Sequence, residues 1–239
     1  MIEDMVGAGQ QTYKAVKYAA FPVVGAPSGM ALGGGCEILL HCAAITAHAE
    51  SYIGLVEAGV GLVPGWGGCK ELLARTSAHP RGRGPMPPVA AAFETISTAK
   101  VARSAFEAKG LAFLGARDEI VMNRDRLLAA AKAKALALVK DYKAPAPATF
   151  RLPGPSGKTA LMMAVDNFVR LGKATEYDRV VAEGLAEVLT GGPAADPLDA
   201  LPEDKISELE RRAIMQLLRQ PKTLARMEHT LDTGKPLRN

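Results

Sequence analysis

The chain has 239 residues, 48% hydrophobic and 23% charged, with a net charge of +4. That composition fits a globular protein and excludes a disordered one. No Lys/Arg block is dense enough for a nucleic-acid surface. No apolar run approaches the roughly 20 residues that cross a bilayer, and Glu3 and Asp4 stand where a signal peptide would be basic. The three cysteines, Cys36, Cys42 and Cys69, lack CxxC spacing and cannot all pair; reduced thiols in a cytoplasmic protein are expected.

In chain order, residues 5–20 read as a helix with Met5, Tyr13, Val16 and Ala20 turned inward. Residues 21–26, bounded by Pro22 and Pro27, read as a short buried strand. A glycine-rich turn at 29–35 leads into a helix over 36–43, apolar enough all round to suit the core. Residues 45–49 and 52–55 continue as strand, and a second glycine-rich loop runs over 59–68. A helix starts near Lys70, and 80–88 forms a proline-rich loop. Helical patterns follow at 89–93, 99–109 and 124–140. Residues 141–157 carry Pro145, Pro147, Pro153 and Pro155 and read as the linker between a first region, 1–142, and a second, 143–239. The second region is helical by periodicity at 159–171, 177–189, 203–218 and 224–231. Asp204 and Ser207 are candidate caps, and Gly234 is a candidate stop. Few strand signals survive past residue 65.

The segment 31–37, ALGGGCE, has a chemical logic. A strand ends, three glycines let the chain turn, and a helix begins. Helix N-terminal N–H groups are unpaired, and glycine lets a ligand approach them closely. Such donors can hold an oxyanion developing on a thioester carbonyl. Glu37 lies in the first helical turn and Glu57 follows 20 residues on. Each alone has a bland reading, as a helix-start carboxylate or a solvated loop charge. Together, two carboxylates facing one carbon–carbon bond are what adding water to an activated alkene needs. One handles the water and the other the proton at the neighbouring carbon.

The residues FPVVGAPSGMALGGGCEILLHC and YIGLVEAGVGLVPGWGGCKELLAR closely resemble the crotonase (enoyl-CoA hydratase/isomerase) family, strongly over 21–75 and more weakly over 93–140. The resemblance implies an α/β crotonase-like (ClpP/crotonase) spiral core with few strands, followed by a mostly α-helical C-terminal region. It implies Glu37 and Glu57 as the two hydratase glutamates and Gly34 as an oxyanion N–H donor. Ala31, Leu32, Gly33, Pro64, Gly65, Trp66 and Gly67 would line the substrate site. The implied reaction is hydration of a trans-2-enoyl-CoA to the 3-hydroxyacyl-CoA in fatty-acid β-oxidation. No metal or redox cofactor is implied, and coenzyme A enters as part of the substrate thioester. Members that only isomerise or hydrolyse often keep one or neither glutamate, so the pair favours hydratase. The whole chain resembles the C-terminal crotonase module of bacterial multifunctional 3-hydroxyacyl-CoA dehydrogenases, which implies a homo-oligomer and an upstream dehydrogenase module as partners. Family members carry a longer segment before the glycine triplet, with more strands, the adenine-binding loop and the other oxyanion N–H. Met1 to Ala20 offer no counterpart, so an N-terminally truncated core is expected. The alternative is a non-catalytic acyl-CoA-binding or assembly fragment.

Other signals carry less. GPSGKT at 154–159 lacks the first phosphate-loop glycine, since that position is Leu152, and no GxGxxG fingerprint exists. Cys36, His41 and Cys42 suit a buried cysteine pair better than a metal site. His48 reads as a surface histidine, Met162–Met163 as core, and Arg211, Arg212 and Arg219 as a solvated face. Lys222, Arg226 or Lys235 is a weaker candidate for a coenzyme A phosphate.

Overall fold

A computed structural model describes residues 1–78 and 84–239. Helix α1 (Ile2–Lys17) has Glu3 and Asp4 in its first turn and Lys14 and Lys17 in its last, complementing the helix dipole. Its inner face runs through Val6, Gln10 and the half-buried Tyr13, a spacing of i, i+4, i+7. Met5 and Ala20 are exposed, contrary to expectation.

Strand β1 (Val24–Gly25) is shorter than the sequence suggested, and Phe21 is 65% exposed. Then come β2 (Met30–Leu32), α2 (Gly34–Leu40), β3 (Ala44–His48) and β4 (Tyr52–Gly54). Ile38 faces outward, so α2 is not apolar all round. A 3-10 turn (Glu57–Val60) and the loop 61–67 lead into α3 (Gly68–Ala78), followed by α4 (Pro87–Ser97). The loop expected at 80–88 lies partly outside the described residues, and Pro87 already begins α4 at a position where its missing N–H costs nothing.

The helix expected over 99–109 splits. Ala99 takes a positive φ of 48°, β5 (Val101–Ala102) follows, and the Ser104 hydroxyl accepts the Glu107 N–H to start α5 (Ala105–Gly110). Strand β6 (Glu119–Val121) precedes α6 (Leu127–Val139). Two small sheets result. In one, β1, β3 and β6 run parallel, with Val24 beside Ala44 and Thr46 beside Glu119. In the other, β4 pairs parallel with β2 and antiparallel with β5. The β1–β3 and β2–β4 pairs carry the chain through α2 between neighbours, as parallel strands require a crossover. That crossover carries the glycine turn and Glu37, and Glu57 follows directly after β4.

The proline-rich segment 141–157 contains β7 (Thr149–Phe150) and the start of α7 (Gly154–Arg170); α8 (Glu176–Leu189) and β8 (Leu201–Pro202) follow, and β8 pairs with β7. The chain ends in α9 (Glu203–Leu217) and α10 (Pro221–Thr233). Thr175 and Asp178 form a capping box on α8. Pro202, not Asp204 or Ser207, precedes α9, while Gly234 closes α10 at φ 68° as expected. Met162 is buried but Met163 is 69% exposed, so they are not a core pair. The boundary at 141–157 is one of composition, because packing runs across it. Phe150 and Leu152 are buried, and Leu72, Leu73 and Ile96 share one hydrophobic core with Leu185, Leu189 and Ile206.

Leu185→Ala should therefore cost about 2–5 kcal/mol and lower the unfolding midpoint seen by near-UV circular dichroism of Trp66, the chain's single tryptophan. Two transitions, with Trp66 unaffected by the substitution, would refute the shared core.

Candidate active site

The glycine turn forms as its composition requires. Gly33 sits at φ 55° before the first turn of α2, where an L side chain would be strained. The N–H groups of Gly34 and Gly35 are the first of α2, with no intrahelical acceptor available. Ala31 and Leu32 lie on β2 and are half-buried. Gly34 is flanked by the Trp66 indole, which a Cβ would meet at 3.1 Å, and its carbonyl accepts the Tyr13 hydroxyl at 3.1 Å. Trp66 packs edge-on against Tyr13, with ring centroids 5.4 Å apart.

Glu37 is 3% exposed. Its Oε1 accepts the N–H groups of Trp66 and Gly68, each at 2.8 Å. Burial pushes its proton affinity above the ordinary carboxyl range, against the pull of the backbone donors at Gly68, Trp66 and Gly65. Glu57 opens the 3-10 turn, with Oε1 where a Cβ on Gly33 would stand 3.4 Å away. Its Oε2 is buried without a hydrogen-bond partner among the described residues. Burial, then the charge of Glu37, raises its proton affinity further. The two glutamates thus share one desolvated neighbourhood at the glycine turn.

Pro64, Gly65 and Gly67 are buried beneath two helices rather than open to solvent. The Gln10 side-chain amide donates to Gly65 O at 2.9 Å and to Ser207 O at 2.8 Å, tying α1, the loop and α9 together. A Cβ on Gly65 would collide with Ile214, and one on Gly9 with Trp66. Trp66 and Gly67 border a cavity of about 230 Å³ that Gln10, Lys14, Lys70 and Arg211 also line.

Several site residues escaped the sequence. Glu210 of α9 is fully buried and its Oε1 accepts the Lys70 N–H at 2.9 Å. Beneath the loop lies a buried ionic network. Lys17 reaches Glu71 at 2.7 Å and Glu203 at 3.0 Å, Lys70 reaches Glu71 at 3.0 Å, and the Tyr18 hydroxyl donates to Glu203. Burial alone would push Glu71 up, but the paired ammonium groups of Lys70 and Lys17 outweigh it and hold the carboxyl below its usual range. His41 Nδ1 sits 2.8 Å from Glu37 O, and burial pushes this imidazole down to about 4, so it is neutral. The Lys17 contacts to Glu71 and Glu203 join residues 54 and 186 positions apart, which no local pattern encodes.

Three other expectations need correction. His48 is buried at the end of β3 rather than on the surface. Cys36 is fully buried but Cys42 only half, so they are not a buried pair. Arg226 is 2% exposed and committed to Asp178 at 2.8 Å, so it is not free for a phosphate. Its helix does bear on the site, since the Thr223 hydroxyl donates to Gly61 O at 2.8 Å, just beyond the Glu57 turn. Arg211 lies beside Gln10 at 3.4 Å and Arg212 pairs with Glu187 at 3.0 Å.

Comparison with known proteins points to a class for this fold. The family model for enoyl-CoA hydratase/isomerase matches residues 3–82. A protein of Bacillus subtilis (strain 168) named as a probable 3-hydroxyacyl-CoA dehydrogenase is 42% identical over 241 aligned positions, covering 100% of this chain and 30% of that protein. A crotonyl-CoA hydratase of Syntrophomonas wolfei is 38% identical over 64 residues, 27% of this chain and 25% of that enzyme. Among solved structures, an enoyl-CoA hydratase from Mycobacterium avium subsp. paratuberculosis superposes with a TM-score of 0.58 at 18% identity, over 100% of this chain and 73% of that one. The chain is thus similar to the enoyl-CoA hydratase/isomerase, or crotonase, family, whose model its residues 3–82 match. It spans under a third of the length of its full-coverage relative. Among the described residues no helix is long and apolar enough to cross a membrane.

The raised proton affinity of Glu57 has a signed consequence. The folded state holds a proton that the unfolded carboxyl gives up, so stability falls as pH rises from the ordinary carboxyl range through the raised one. Glu57→Gln should flatten that slope, gaining stability relative to wild type at about pH 8 but not at about pH 4. Urea titrations at both values check it, and an unchanged slope would show Glu57 to be ordinarily solvated. Lys17→Met should cost about 3 kcal/mol by leaving buried carboxylates under-paired. A loss below about 1 kcal/mol, the scale of a surface pair, would refute that.

Proposed function

We propose that the chain is the hydratase-type module of a fatty-acid-oxidising protein, adding water to a trans-2-enoyl-CoA. The observation that carries this reading is the buried Glu37 and the half-buried Glu57, whose Oε2 is enclosed, both beside the glycine turns and both with raised proton affinity. Their environments differ in a useful way. Two backbone N–H groups favour the charged form of Glu37, whereas Glu57 Oε2 has no partner among the described residues and the Glu37 charge favours its protonated form. Glu37 is therefore the base and Glu57 the acid. Glu37 takes a proton from water as its oxygen bonds to C3. The π electrons move toward the thioester carbonyl, whose developing negative charge the Gly34 N–H meets. Glu57 delivers its proton to C2, giving the 3-hydroxyacyl-CoA. Proton exchange then returns Glu37 to the charged and Glu57 to the protonated form.

Ala31, Leu32, Gly33 and the 64–67 loop would border the acyl thioester, with coenzyme A present only as part of the substrate. The name of the Bacillus subtilis relative supports a neighbouring dehydrogenase module that consumes the hydroxyl product. A cytoplasmic homo-oligomer belongs to the same reading. A second reading, a non-catalytic acyl-CoA-binding module, draws support from the Trp66 indole crowding Gly34.

Purified chain should bleach the enoyl-thioester absorbance of crotonyl-CoA, and Glu37→Gln and Glu57→Gln should each slow turnover by about 10²–10⁴-fold. Turnover indifferent to both changes overturns the roles. Calorimetric binding of crotonyl-CoA without turnover selects the second reading.

A further inference from the structure

We propose that Glu210 is a positioning residue for Glu37: from α9 it holds the far side of the same backbone corner whose N–H groups hold Glu37. This rests on Glu37 being the base of the proposed hydration. Trp66 and Gly68 donate to Glu37 Oε1, and two residues on, Lys70 donates to Glu210 Oε1 at 2.9 Å. Two carboxyls, one from α2 and one from α9, thus divide alternate N–H groups, those of residues 66, 68 and 70, where the loop enters α3. Ile214, one helical turn beyond Glu210, fills the space over Gly65, so α9 grips the corner at both ends.

The chemistry of the pocket sets the charge state. Glu210 is 0% exposed and its Oε2 has no partner among the described residues. Facing it are Glu37 from α2 and Lys70 and Glu71 from α3, while the Cys69 thiol lies among Glu210, Glu37 and Glu57. The Lys70 ammonium is engaged by Glu71 at 3.0 Å and Glu203 at 4.0 Å. Burial, then Glu37, pushes Glu210 up to about 8. A second ion beside Glu37 in this desolvated space would be costly. Glu210 therefore keeps its proton, accepts the Lys70 N–H as a neutral acid, and leaves the negative charge to Glu37. A neutral clamp needs shape and an acceptor, which an amide also supplies.

The test is a ¹³C-carboxyl NMR titration of Glu37, assigned by its loss in Glu37→Gln, in wild type, Glu210→Gln and Glu210→Ala; it needs no turnover. Glu210→Gln should leave the Glu37 midpoint unchanged. Glu210→Ala should raise it by about one unit, as the loosened corner withdraws its N–H groups from the charged form. Near-UV circular dichroism of Trp66 reports folding, and Glu210→Leu replaces the alanine variant if that does not fold. A midpoint lowered in both variants would mean that Glu210 is a charged neighbour. A midpoint unmoved by alanine or leucine would mean that it only fills space. Either overturns the proposal. Absent crotonyl-CoA hydration with the expected titration would instead fail the hydratase reading and leave the clamp standing as structure.

Discussion

The Glu37 carboxylate, taken out of water and held by two backbone N–H groups, is the constraint around which this protein is organised. A lone buried carboxylate carries a desolvation penalty of several kcal/mol, and hydrogen bonds from a preorganised turn are the local means of offsetting it. Those N–H groups exist because residues 65–68, Gly-Trp-Gly-Gly, double back before α3. The turn in turn needs α1 and α9 on top of it, through Gln10 and Ile214. The first and last thirds of the chain are thus both required to hold one side chain.

The same economy explains the ionic network below the loop. Lys17, Lys70, Glu71 and Glu203 are all nearly buried, and each would be prohibitive alone. Alternating signs across α1, α3 and α9 let every charge meet an opposite one. Such a network adds little net stability over an apolar core, but it penalises any shift of one helix against another. For a site that depends on the height of a backbone turn, that rigidity matters more than the energy.

Glu37 and Glu57 illustrate how a fold divides labour between like groups. Both sit in the same desolvated space, yet two N–H groups of the 66–68 turn reach Glu37 Oε1, while Glu57 Oε2 has no partner among the described residues. Their surroundings therefore differ through where the main chain points rather than through the side chains themselves.

The sequence by itself determined the glycine turn, the spacing of Glu37 and Glu57, the second glycine loop and the C-terminal helices, because all of these are local. Glycine at a positive φ, apolar periodicity and a stop at Gly234 act within a few residues. Several local readings failed where tertiary contacts decided. The helix expected at 99–109 yielded to a strand pairing with β4, and strand β6 escaped notice because three residues carry almost no period. Met163, Ile38 and His48 took the face their neighbours left them. Only the tertiary structure could bring Gln10, Glu203, Glu210 and Thr223 to the site, and only it could bury the two glutamates enough to change their proton affinity. Desolvation is a property of everything packed around a group, and that surrounding is assembled from residues far apart in the chain.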